Sequence, residues 1–127
     1  MEVVVLLKPD IVINNEIPAI TKEITKNLWT IEIKKMVMLN EEFIKSFYSE
    51  YKNEIFFEEN ILKNMMASPV VAMIVKTKWN VNDFYKIKDI KEQIRKKFAK
   101  DKSRNSIHIS DSFESAQKER WLLGWMA

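Results

Sequence analysis

Apolar positions follow two rhythms along this chain. "EVVVLL" (2–7) and "PVVAMIVKT" (69–77) carry apolar runs rich in β-branched residues, the signature of strands buried on both faces. The first stops at Lys8-Pro9-Asp10, and the second opens on Pro69, which lacks a ladder donor. "WTIEIKKMVML" from Trp29 alternates Trp29, Ile31 and Ile33, predicting a half-solvated strand, and "NSIHI" (105–109) predicts a short one. Between the strands the spacing changes to three and four residues. Ile17, Ile20, Ile24 and Leu28 form one amphipathic stripe; Ile87, Ile90, Ile94 and Phe98 form another. Asn40 is placed to cap a helix through "EEFIKSFYSEY", and more helix is expected from Glu54 to Pro69. Asp111 or Ser112 caps the last helix, and Asp111 with Glu114 would make a capping box. The order β-α-β-α-β-α-β-α, with no repeat or linker, suits a split β-α-β sheet with helices on one face.

Composition narrows the chemistry. The chain has 127 residues, 46% of them hydrophobic, enough for one domain over 1–127 with a sizeable core. No apolar run approaches the roughly 18 residues of a membrane span, and the acidic start of "MEVVVLLKPD" does not resemble a secretion signal. A cytoplasmic protein without a membrane partner is expected. Cysteine is absent and histidine occurs once, which excludes disulfides, thiolate metal sites and an all-histidine zinc site within one chain. Gly124 is the only glycine, so neither Gly-rich phosphate-loop pattern can be written. Any phosphate must be held by side chains and helix N-termini.

Charge is uneven. The formal net charge is +3, yet Lys86 to Arg104 alone carries a surplus of six, leaving the rest at −3. One basic region of this kind suits an anionic partner. The lone histidine, His108, lies on the alternating run "NSIHIS". There it shares a face with Ser106 and Ser110, while Ile107 and Ile109 face the other side. It is either an ordinary partly buried ring or the reacting group.

Three blocks, "VVVLLKPD", "FYSEYKNEIFFEENILKNMMASPVVAMIV" and "RNSIHISDSFESAQKE", together resemble the nucleoside diphosphate kinase family from Glu2 to about Arg120. The family's histidine pattern N-x-x-H-G-S-D-S reads here as Asn105 to Ser112, and its K-P-D as Lys8-Pro9-Asp10. The resemblance implies a ferredoxin-like split β-α-β sandwich of the α/β (α+β) class. Its four-stranded antiparallel sheet would carry the helices. It implies transfer of a γ-phosphoryl group from a nucleoside triphosphate to His108 and then to a nucleoside diphosphate. A neutral imidazole is a competent nucleophile near neutral pH, and a phosphohistidine splits one transfer into two. By matching position, Lys8 and Tyr48 reach the transferred phosphate and Arg95 holds the phosphates. Asn105 binds the ribose, and Phe56 and Ile61 sandwich the base. Glu119 bonds the second histidine nitrogen, with Ser110 beside it. Mg²⁺ would arrive with ATP or another triphosphate, held mainly by the phosphates. The family's assembly implies a homo-oligomer: a dimer, with tetramer or hexamer open.

The match departs from the family in several places. The glycine after the histidine is Ile109, and the arginine and proline of a family "DRPFF" segment are Glu54 and Ile55. A second phosphate arginine has no counterpart, with Lys86 nearest, and about seven loop residues are missing before Arg95 by comparison with the family pattern. The chain also reaches Ala127 short of the family's C-terminus. Lys88, Lys91, Lys96 and Lys97 are available to supply the missing charge. Three other readings stay open from sequence: a degenerate member that binds nucleotide or protein without turnover; a nucleic-acid module using 86–104 as a basic helix; and, least supported, a Ser-His-Asp hydrolase, for which no nucleophile turn is present.

Overall fold

The structure, a computed structural model, describes residues 1–27, 30–48, 61–100 and 106–124. Four strands, β1 (Glu2–Leu7), β2 (Thr30–Val37), β3 (Val70–Lys76) and β4 (Ile107–Ile109), form one sheet in the order β2-β3-β1-β4. Every neighbouring pair is antiparallel. This is the expected split β-α-β arrangement. The two apolar runs, β1 and β3, sit at its centre, where an unbroken hydrophobic sequence finds cover on both faces.

Among the described residues six α-helices follow in chain order: α1 (Pro9–Ile13), α2 (Ile17–Lys26), α3 (Glu41–Phe47), α4 (Lys63–Met65), α5 (Phe84–Phe98) and α6 (Phe113–Leu123). They cover both faces of the sheet, not one as expected. Val3, Val5 and Leu7 of β1 pack with Ile20 and Ile24 of α2 and Ile87, Ile90 and Ile94 of α5. Val4 and Leu6 point the other way, onto Ile44 and Phe47 of α3, Met65, and the end of α6 at Leu122 and Leu123. A strand whose odd and even residues are all apolar cannot leave one side wet. Each such side chain fully buried stabilises the fold by about 1.5–3 kcal/mol.

Local chemistry sets the helix limits. Pro9 opens α1, a short helix the sequence pattern did not show, because its fixed φ suits a first turn. Asn40 caps α3 as expected, accepting the Phe43 N–H at 2.7 Å. Ser112 caps α6 by accepting the Ser115 N–H at 3.0 Å, so the alternative Asp111–Glu114 capping box does not form. Gly124 closes α6 in the left-handed region at φ 72°, where a side chain would be strained. In β2 the pairing skips Glu32, since Ile31 opposes Val75 and Ile33 opposes Ile74. That bulge sends Ile31 to the α2–α5 layer and Ile33 to the α3–α6 layer, breaking the simple alternation.

Candidate active site

β4 pairs with β1 so that Leu6 opposes His108 and Val5 opposes Ile109. Strand alternation then sends Ile107 and Ile109 into the α2–α5 core and His108 to the opposite face. There the His108 ring meets the Phe47 ring edge-on at 4.8 Å and the Tyr48 ring at 6.1 Å. Both aromatics come from the end of α3. Only 13% of the His108 side chain is exposed, so it is open along one edge.

Glu119, one face of α6 away, supplies the partner. Its Oε2 lies 3.0 Å from His108 Nε2, while its Oε1 accepts the Ser110 hydroxyl at 2.7 Å. Ser110 is held in turn by β1, whose Val4 N–H donates to Ser110 Oγ at 3.0 Å. The Nε2–Oε2 contact is close, but the ring N–H is out of line for a hydrogen bond. Its value is electrostatic. A carboxylate beside Nε2 favours the proton there and leaves the lone pair on Nδ1.

The ring opens on a cleft of about 420 Å³ lined by Phe47 and Tyr48 at the end of α3, Lys88, Lys91 and Arg95 of α5, and Asp111 beside the start of α6, among others. Lys88, Lys91 and Arg95 are spaced by three and four residues, which puts them on one stripe of α5. Arg95 is fixed by donating from Nε to the Ile107 carbonyl at 3.1 Å, and its Nη1 lies 3.6 Å from Glu92. Lys91 binds Asp111 Oδ1. Partial burial tends to raise the Asp111 pKa, but the Lys91 ammonium overcomes it and holds the carboxyl below its ordinary value.

The sequence-expected residues do not all meet here. His108, Glu119, Tyr48 and Arg95 line the cleft, and Ser110 backs Glu119. Lys8 stands at the end of β1, its N–H donating to the Ser106 carbonyl at 2.9 Å, but its side chain is buried and is not part of the cleft lining. Its charge acts on Asp10, whose carboxyl is raised by burial and only partly relieved by its own backbone N–H, Lys8 and the Ser106 N–H. Ile61 is packed beside the α3–α6 core layer, away from the lining. Lys86 is a correction: it sits off the Lys88–Lys91–Arg95 stripe and pairs with Asp83 at 3.7 Å. Phe56 and Asn105 lie outside the described residues. Ser106, next along the chain, adopts φ 75°, a left-handed conformation that costs a residue with a side chain about 1–2 kcal/mol.

The basic helix also divides its charge. Lys97 binds Glu23 of α2 at 2.8 Å and Lys100 binds Glu16 at 2.9 Å, so the side of α5 away from the cleft is stitched to acids.

The sequence profile of the nucleoside diphosphate kinase family matches residues 2–123. The chain belongs to this family. It is 34% identical over 121 residues to the nucleoside diphosphate kinase of Histophilus somni strain 2336, spanning 90% of this chain and 85% of that protein. It is 33% identical over 122 residues to that of Clostridium perfringens strain 13, spanning 91% and 85%. The crystal structure of the Aquifex aeolicus nucleoside diphosphate kinase superposes with a TM-score of 0.81 at 26% identity, covering 96% of this chain and 93% of that one. Ile109, next to the histidine, is completely buried in extended β4 with no left-handed φ.

Sequence reasoning missed Phe47 and Asp111 as neighbours of the histidine. Phe47 had a signal: Phe43, Phe47 and Tyr48 share helical spacing, and Phe43 and Phe47 stack at 5.5 Å. Asp111 was assigned to a helix cap, and only the fold shows it turned to Lys91.

Proposed function

We propose that this chain is a nucleoside diphosphate kinase working through a phosphohistidine on His108. The observation that carries the reading is the chain Ser110–Glu119–His108, with the ring on the wall of a cleft that also holds Tyr48 and Arg95. With Nε2 protonated beside Glu119, the Nδ1 lone pair attacks the γ-phosphorus of a nucleoside triphosphate. The bond to the β,γ-bridging oxygen breaks and the diphosphate leaves. The imidazolium that develops is stabilised by the Glu119 carboxylate. In the second half, a terminal oxygen of another nucleoside diphosphate attacks the phosphorus, the P–N bond breaks, and the ring is neutral again. Ser110 keeps Glu119 from turning away. Arg95, held by the β4 carbonyl, presents its planar fork to the phosphates. Tyr48 at the phosphates, Asn105 at the ribose and Phe56 at the base complete the proposed binding set.

Mg²⁺ fits this site as an ion that enters with the nucleotide. Among the described residues no group of three or more carboxylates or histidines could hold a metal, and Mg²⁺ prefers phosphate oxygens and water. It would neutralise charge on the β- and γ-phosphates. Among the described residues no helix is long and apolar enough to cross a membrane; we place the protein in the cytoplasm. A homodimer is supported by the outer edge of β2, which has no strand partner among the described residues and where Met36 and Met38 are more than half exposed. Light scattering tests that state.

The activity test is exchange between ATP and a second nucleoside diphosphate. The reading expects parallel-line kinetics and complete loss in His108→Ala. Undiminished exchange in that variant would remove His108 from the reaction.

A further inference from the structure

We propose that Lys91 is a phosphate-binding residue of the cleft, kept in place by Asp111 until a nucleotide oxygen takes Asp111's position. This deepens the kinase reading and rests on it. Three observations point the same way. The Lys91 side chain is 7% exposed, an unusual state for a lysine, and its ammonium meets Asp111 at the cleft wall. Its partner is the opposite case: 65% of the Asp111 side chain is in water. Finally, the lining is electrically balanced, with Lys88, Lys91 and Arg95 set against Glu92, Asp111 and Glu119.

A triphosphate carries several negative charges, so a balanced cleft attracts it only if a cation can exchange its partner. Arg95 is tied to a backbone carbonyl and to Glu92. Lys88 lies on the same stripe, but no residue among those described holds it at the histidine. The Lys91–Asp111 pair is the exchangeable one: the buried ammonium stays where it is, and the exposed carboxylate can swing into water, which solvates it. Asp111, His108 and Arg95 line the same cleft, which places the pair beside the reacting ring. A buried lysine is a compact point charge suited to a terminal phosphate. It stands in a chain that lacks the second arginine and part of the loop its family pattern carries.

The test is steady-state exchange kinetics on the full chain for wild type, Lys91→Met, Lys91→Arg, Asp111→Asn and the Lys91→Met/Asp111→Asn double variant, with each variant's folding checked by thermal melting. The expected result is a KM for ATP raised tenfold or more in Lys91→Met with kcat changed less, and substantial recovery in Lys91→Arg. Asp111→Asn lowers KM severalfold, and that gain disappears when Lys91 is also replaced. A purely structural ion pair would move stability in both single variants and would not lower KM. The proposal is overturned if folded Lys91→Met keeps KM within twofold of wild type. It is overturned equally if Asp111→Asn leaves KM unchanged or raises it, or lowers it to the same extent without Lys91. A wild-type protein that neither exchanges phosphate nor binds ATP would overturn the kinase reading itself, an outcome distinct from any variant result.

Discussion

Restoring the family glycine at position 109 is expected to harm this protein. Ile109 is completely buried in the layer between the sheet and helices α2 and α5, directly opposite Val5. Its backbone is extended; among the described residues other than glycine, only Asn15 and Ser106 have positive φ. Glycine therefore gains nothing from its conformational freedom there. Removing a buried isoleucine down to Cβ costs about 2–5 kcal/mol. Going on to glycine in a strand adds roughly 0.5–1 kcal/mol. The sum of about 2.5–6 kcal/mol is a large share of the 5–15 kcal/mol typical of a domain. Urea denaturation followed by tryptophan fluorescence should show the midpoint of Ile109→Gly well below that of the parent, with the slope unchanged. The melting temperature should fall by about 10 °C or more. A variant that melts within a degree or two of the parent while exchanging phosphate faster would refute the reasoning. It would mean that position 109 acts through backbone freedom next to the nucleophile.

Glu119→Gln keeps the shape but removes the charge beside Nε2. It should lower kcat on the order of a hundredfold with little change in KM, read in the exchange assay. Ser110→Ala removes a buried hydroxyl that joins Val4 to Glu119, and chemical denaturation should show a loss of about 1–3 kcal/mol. For Asp10 the pKa is raised above 3.8 by burial, so the folded state binds its proton more tightly than the unfolded chain does. Stability therefore falls as pH rises from the unfolded value through the folded one and stays lower above it. Asp10→Asn, whose carbonyl can still accept the Ser106 N–H, should be more stable than the parent at pH 7. That advantage should shrink towards zero near pH 3, and urea melts at the two pH values decide it.

The parts of this protein legible in its sequence are those with strong periodicity or strong local chemistry. Val3 to Leu7 and Val70 to Val75 announce central strands, and Ile87, Ile90 and Ile94 announce the buried stripe of α5. Alternation alone placed His108 opposite Ile107 and Ile109. The second helical layer was harder to see because its apolar face is assembled from distant pieces, Leu39, Ile44, Phe47, Leu62, Met65 and the end of α6. No one of these shows a long stripe. The β2 bulge at Glu32 was hidden for a similar reason: period-two reading assumes an unbroken pleat. Charge was the least legible. Which lysines of α5 face the cleft and which are tied to α2 depends on helix phase and on Glu16 and Glu23, more than seventy residues away in sequence. Lys86 was matched by nearness in sequence, whereas the helix turn selects Lys88 and Lys91.

The central claim is that the lone imidazole accepts a phosphoryl group, and mapping the label after brief incubation with ATP labelled at the γ-position and Mg²⁺ tests it most directly. The account predicts one acid-labile, base-stable label on the peptide containing His108, lost in His108→Ala and discharged by adding a second nucleoside diphosphate. A correctly folded protein that takes up no label, or carries it on any other residue, would contradict it.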